Sequence, residues 1–134
     1  MNPALRLAYG AVGQLARSAA ALTPAGDSKW QRSLAARSGI RSRYAVWARH
    51  RDRSRPLLWL HAPSVGEGLQ ARVVIELVRE RRPDVQLAYT FFSPSAETFA
   101  RSLPVDFADY LPFDTTGDAQ AVLDALRPTA LVFS

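Results

Sequence analysis

The sequence predicts an α/β fold: a parallel sheet with helices on both faces, preceded by a basic amphipathic helical arm. Two observations predict it. From residue 57 onward, short apolar runs alternate with segments of helical period in the order β-α-β-α-β-α-β, which a parallel sheet with crossover helices satisfies. Charge also divides the chain: residues 1–56 carry 11 Arg and Lys against 2 Asp and Glu, whereas residues 57–134 carry 6 against 10. The expected division is a basic helical arm and linker over 1–56 and a domain over 57–134.

With 134 residues the chain suits one domain, and 48% hydrophobic with 22% charged residues is a globular composition. The absence of cysteine excludes a disulfide framework and a thiolate zinc site. Two histidines, His50 and His61, are too few for a His-rich metal centre, and no metal site is expected.

Each element has its own signal. Residues 4–22 place Leu5, Ala8, Val12, Leu15, Ala19 and Leu22 at helical spacing, with Arg6 and Arg17 returning to nearly one face. Arg17 interrupts this stretch as a membrane span, so the expected mode is a helix lying in the interface of an anionic membrane. A secretory signal peptide fits in charge and length, but an arginine directly follows the short apolar stretch. Ser28 caps a short helix running to Gly39. Ala48–Pro56, polar, basic and ending on proline, reads as a linker. No nucleic-acid motif accompanies the basic charge, and no nucleic-acid partner is expected.

In the domain, Leu57–Ala62 is a buried strand and Glu67–Arg82 a helix with separate apolar and polar sides. Val85–Phe91 is a second strand. Ser93 before Pro94 gives the order of N-cap and N1 for the next helix. Tyr110–Asp114 is expected as a short or edge strand. Thr116–Pro128 is a helix stopped by its proline, and Thr129–Ser134 a fourth strand. In such sheets ligands bind beyond the carboxyl ends of the strands. The loops His61–Gly68, Thr90–Ala96 and Pro112–Asp114 converge there. The sequence stops on a strand, where a further functional loop is expected, so the chain reads as one part of a larger enzyme.

The stretch LWLHAPSVGEG, Leu58–Gly68, carries the densest chemistry. Ser64 and Glu67 have the spacing of a capping box, in which each side chain bonds the other residue's amide. The same helix N-terminus suits an anion, and Gly66 and Gly68 allow close approach by a ligand. No Walker lysine follows, and the full dinucleotide fingerprint is absent.

This stretch closely resembles the Trp-Ile-His-Ala-Val-Ser-Val-Gly-Glu segment of the 3-deoxy-D-manno-octulosonic acid (Kdo) transferases, the lipid A glycosyltransferases of Gram-negative bacteria. PDVQLAYTFFSPSAETFA resembles that family's second strand and its Thr-x-x-Thr-Pro-Thr-Gly loop. DYLPFDTTGDAQAVLDALRPTALVFS resembles its Tyr-x-Pro-x-Asp segment, next helix and fourth strand. The resemblance covers about residues 57–134, while the arm matches in general character. Pro63 and Ala96 depart from the family pattern; a positive φ at Ala96 would be strained, so a different loop shape is expected there.

The resemblance implies a Rossmann-like domain, the N-terminal, acceptor-side half of a GT-B type inverting glycosyltransferase. Its donor would be CMP-Kdo, bound through a downstream domain, and its acceptor a lipid A precursor at the cytoplasmic face of the bacterial inner membrane. No cofactor is implied. The family's general base falls on Glu67. The acceptor-binding candidates are His61, Ser64, Gly66, Thr90, Ser93 and Ser95; for His61 a satisfied strand-end histidine is an equally good reading, and helix capping explains Ser93. This part alone is expected to transfer no sugar. The competing reading is a non-catalytic module that holds a phosphorylated or lipid ligand at the membrane surface with the same loops.

Overall fold

The computed structural model describes residues 3–22 and 28–134, with only the backbone described at residues 3–6, 17, 20, 21 and 30. The expected Arg6/Arg17 face therefore lies outside the described side chains. Four strands form one parallel sheet in the order β3-β2-β1-β4. The strands are β1 (Leu57–His61), β2 (Gln86–Phe91), β3 (Phe107–Tyr110) and β4 (Ala130–Phe133). The helices between them are α4 (Val65–Arg81), α5 (Glu97–Arg101) and α6 (Thr116–Leu126). Three further helices precede the sheet: α1 (Pro3–Leu22), α2 (Lys29–Ala36) and α3 (Ile40–His50). The Rossmann-like α/β architecture is thus present.

β1 and β2 are near-continuous apolar runs, as strands covered on both faces require. Strand register sorts their side chains. Trp59 and His61 align with Ala88 and Thr90 of β2, and Ala88 in turn with Phe107 of β3. α3 covers this face: Tyr44 packs edge-on against Trp59 and Phe107, and Trp47 stacks on Phe107 at 4.9 Å. The opposite face carries Tyr89 and Tyr110 and packs under α4 and α5.

α3 belongs to this core. Ile40, Tyr44 and Ala48 are buried in it, so the core draws on residues on both sides of the expected boundary at 56, and Ala48 is packed where a linker was expected. The helix is tied down by charge. Arg43 grips Asp109 of β3 with two bonds of 2.7 and 2.9 Å, Arg41 meets the fully buried Asp118 of α6 at 2.5 Å, and Tyr44 donates to the Tyr110 carbonyl at 2.7 Å.

Two boundaries depart from expectation. The third strand is Phe107–Tyr110, so most of Tyr110–Asp114 is the loop beyond it. Pro112 has no N–H for a ladder, and residues 107–110 take the register against Ala88–Phe91. Ala96 has φ −83°, an ordinary right-handed conformation inside a short 3₁₀ turn, so the loop takes its own shape without strain at that position.

α1 lies across the β3–α6 loop. Tyr9 donates to Asp114 at 3.0 Å, and Gly13 sits so close that a Cβ there would lie 2.0 Å from Thr115 Cγ2. Its other side leaves Leu7, Val12, Leu15 and Leu22 exposed. Among the described residues no helix is long and apolar enough to cross a membrane.

Candidate active site

The strand order reverses direction between β1 and β4, and a crevice opens at such a switch point beyond the strand carboxyl ends. The loop from β1 to α4 stands there. Ser64 is the N-cap of α4 with extended backbone, φ −133° and ψ 176°, and Glu67 lies in the first turn. Seventeen residues of helix follow, so the free amides of this first turn carry the positive end of a full-length helix dipole.

The expected capping box is not formed. Ser64 makes no bond to a backbone amide; its hydroxyl donates to Oε2 of Glu67. The glutamate is turned to its neighbour's side chain, so the carboxylate is oriented by a hydroxyl and the first-turn amides are left unoccupied by either side chain. Gly66 is exposed, and a Cβ there would meet only Ser64 Oγ at 3.7 Å. Gly68 is different: a Cβ would lie 2.6 Å from Phe99 and 2.8 Å from the Tyr89 hydroxyl, so close packing of α4 on the sheet requires glycine here. That Tyr89 hydroxyl is buried and has no partner among the described residues, and burial, with the nearby Glu67 charge, raises its pKa.

The three strand-end loops are bonded in series. The Pro63 carbonyl accepts from the amides of Phe92 and Ser93 at 3.2 and 3.1 Å, joining the first loop to the second. Leu111 N donates to the Phe91 carbonyl at 2.7 Å, joining the third. Arg37, at the C-cap of α2, closes the set. Its side chain donates to the Leu111 carbonyl at 2.9 Å, to the Phe92 carbonyl at 3.2 Å, and to Ser33. Its guanidinium lies 4.6 Å from the Phe92 ring centroid and 5.2 Å from that of Tyr110. Arg37 is 2% exposed, and burial lowers its pKa from the ordinary arginine value. Nothing local marks this residue in a run of arginines; the signal that identifies it is three-dimensional, a cation among Phe92, Tyr110 and Phe113.

The candidate residues fall into two groups. Ser64, Gly66 and Glu67 lie together at the N-terminus of α4, with Ser93 and Ser95 on the adjoining loop. Ser93 accepts from the Ser95 amide as the N-cap of the 3₁₀ turn, and the two hydroxyls are 2.7 Å apart. His61 and Thr90 lie beneath, buried on the α3 side of the sheet. Thr90 Oγ1 accepts from Trp59 Nε1 at 2.9 Å and is 3.0 Å from His61 Nδ1. Its hydroxyl is committed to these two side chains. The His61 ring also packs edge-on against Phe133, and burial lowers its pKa, with Arg37 adding to the effect against the opposing bond to Thr90. Asp114 accepts from Tyr9, while the cap of α6 is Thr115, which accepts from Asp118 N. Arg72 is stacked on Phe99 at 4.8 Å and bonded to Ser102. Among the described residues no three acids or histidines cluster as metal ligands.

A Rossmann-like half-domain with an acidic side chain at the first turn of the switch-point helix is the class this geometry defines. Residues 35–134 match the family described as 3-deoxy-D-manno-octulosonic-acid transferase (kdotransferase). The chain belongs to that family. Two curated proteins named 3-deoxy-D-manno-octulosonic acid transferase are similar to it. The one from Rickettsia bellii (strain RML369-C) is 28% identical over 96 residues, which cover 70% of this chain and 23% of the relative. The one from Rickettsia felis (strain ATCC VR-1525 / URRWXCal2) is 30% identical over 82 residues, covering 60% and 18%. The chain therefore spans less than a quarter of the length of these relatives. No solved structure matches it.

Proposed function

We propose that this chain is the acceptor-side part of a glycosyltransferase that moves Kdo from CMP-Kdo to a lipid A precursor. The observation that supports it most is Glu67: an acid at the first turn of α4, beside an exposed glycine, on the edge where three loops are bonded together. In this reading an acceptor hydroxyl oxygen attacks the anomeric carbon of Kdo. The bond from that carbon to the CMP phosphate breaks, CMP leaves with the electron pair, and the hydroxyl proton passes to Glu67. Attack opposite the leaving group inverts the anomeric configuration, and no covalent enzyme intermediate is needed.

Each neighbour has a task. Ser64 orients the carboxylate. The free first-turn amides and Gly66 suit an acceptor phosphate. Ser93 and Ser95 offer hydroxyls to sugar oxygens from the adjoining loop. His61 and Thr90, held beneath, set the floor of the crevice. In this reading CMP-Kdo is bound by a downstream domain, as the family resemblance implies. The exposed apolar side of α1 suits the interface of an anionic membrane, with the acceptor's headgroup presented to the adjacent loops at the cytoplasmic face of the inner membrane.

The test is a transfer assay on the full-length gene product with CMP-Kdo and a lipid A precursor. Transfer of Kdo is expected. A purified, folded product that binds the lipid yet transfers nothing would favour the alternative, a non-catalytic lipid-binding module.

A further inference from the structure

At the opposite end of the sheet from Glu67, where β1 and β4 begin, lies a cleft of about 670 Å³. Arg51, Arg53, Arg55 and Arg127 line it, with Asp124 and Thr129 among the other walls. The first three are fixed in place by neutral groups. Arg51 donates to the Gln86 side chain at 2.8 Å and the Leu126 carbonyl at 3.0 Å. Arg53 donates to the Ala125 carbonyl at 2.9 Å, and Arg55 to the carbonyls of Asp84 and Pro83, both at 2.9 Å.

These bonds hold the guanidinium groups without neutralising them. Among the described residues none of the four arginines forms an ion pair. Arg82 pairs with Asp84, while Asp52 and Asp124 bond neutral groups; the charges of Asp52 and Asp84 offset part of those of Arg51 and Arg55 without an ion pair to them. Arg51 Nε is buried and, among the described residues, has no hydrogen-bond partner. Arg127 holds its position at φ +45° and ψ +61°, the left-handed region that a non-glycine residue occupies at a cost.

Four arginines against the single carboxylate of Asp124 in the lining leave an excess of positive charge, which an entering anion neutralises. Because Arg51, Arg53 and Arg55 are already held, binding an anion costs little of their rotamer entropy. Guanidinium forks match phosphoryl oxygens in pairs, and the cleft holds more than one such group.

We infer that this cleft is a second ligand site, separate from the crevice at Glu67, and that it binds an anion carrying two or more phosphoryl groups. The ligand is either soluble or the headgroup of an anionic lipid.

The test is calorimetric titration of the chain with inorganic pyrophosphate, and in parallel sedimentation with cardiolipin vesicles, whose headgroup carries two phosphoryl groups. Arg127→Gly is the decisive variant: it removes one cation, and glycine relieves the positive φ, so its thermal midpoint should equal or exceed the parent's. Pyrophosphate binding should weaken about tenfold or more, the loss expected for a charge-assisted contact. Arg101→Gln, which alters an exposed arginine paired with Glu97, should bind as the parent does. Vesicle binding that falls in Arg127→Gly, with no pyrophosphate binding by the parent, assigns the site to a lipid headgroup. Equal binding of both probes by parent and Arg127→Gly, or binding of neither by the parent, overturns the inference.

Discussion

Arg37 donates to the carbonyls of both Leu111 and Phe92, so one buried side chain from α2 fastens two of the three loops at the candidate active site. The Phe92 amide meanwhile donates to Pro63, at the base of the Ser64–Glu67 turn. The helical arm is thereby part of the site's scaffold. Replacing Arg37 with methionine would leave both carbonyls without their partner, at roughly 1–3 kcal/mol each. Arg37→Lys keeps the charge but lacks the planar fork and the stacking on Phe92. Urea unfolding should rank the variants parent, Lys, Met in falling stability. Stability unchanged in Arg37→Met would show that the arm does not fasten these loops.

His61 makes the fold sensitive to acid. Burial lowers its pKa from the usual 6.5, and the nearby Arg37 charge acts in the same direction. The folded state therefore favours the neutral ring more than the unfolded chain does. That stability is fully present above about pH 6.5 and is lost as the pH falls through that value towards the lower folded pKa. Between pH 7.5 and 5.5 the urea midpoint of the parent should fall more than that of His61→Gln. Parallel curves for the two proteins would remove His61 from the pH response.

Gly68 packs α4 against the sheet at a distance that leaves no room for a side chain. Gly68→Ala should destabilise the fold by about 1–3 kcal/mol through overpacking on Phe99 and Tyr89. Tyr89→Phe removes a hydroxyl that is buried and unpartnered, so alone it should be neutral or stabilising. Combined with Gly68→Ala it should recover part of the loss, because one of the two obstructing groups is gone. Strict additivity in thermal unfolding would place the strain on Phe99 alone.

α1 presents two opposite sides, one docked through Tyr9 and Gly13 and the other exposing Leu7 (76%), Leu15 (70%) and Leu22 (84%). If the exposed side enters a membrane interface, Leu7→Glu with Leu15→Glu should abolish sedimentation with anionic vesicles while leaving the Tyr9–Asp114 contact in place. Deletion of residues 1–22 should do the same. Undiminished sedimentation of both would move membrane attachment elsewhere.

The sheet was legible where sequence pattern is local. The apolar runs at β1 and β2 and the helical period of α4 and α6 reflect burial of whole strands and single helix faces, and the elements lie where those patterns put them. The third strand was displaced because Tyr110–Pro112 is as apolar as Phe107–Tyr110, and only pairing with β2 decides between them. α3 was hidden by its charge. Arg41 and Arg43 look like part of a solvated basic arm, yet their acidic partners, Asp118 and Asp109, lie 77 and 66 residues away. A local charge count cannot see such pairs. At the candidate site, Ser64 and Glu67 were marked by their spacing, but that spacing fits both a capping box and the side-chain pair that the structure contains.

That pair separates the two possible tasks of Glu67. With no amide bonded to either side chain, the residue contributes little as a cap, and its carboxylate is held by Ser64 Oγ. In the full-length enzyme, Glu67→Gln retains an oxygen that accepts from Ser64, so folding and acceptor binding should match the parent. On the proposed mechanism it removes the group that takes the proton, and kcat should fall about 10²–10⁴-fold, the usual contribution of general-base catalysis. Ser64→Ala leaves the carboxylate but frees its rotamer. It should lower kcat less than Glu67→Gln does, with binding unchanged. The order of the two effects is what distinguishes catalysis from structure: a base loses more when it is removed than when it is merely released. Glu67→Gln transferring sugar at the parent rate, with its fold intact, would falsify the catalytic assignment and leave Glu67 as a structural neighbour of Ser64.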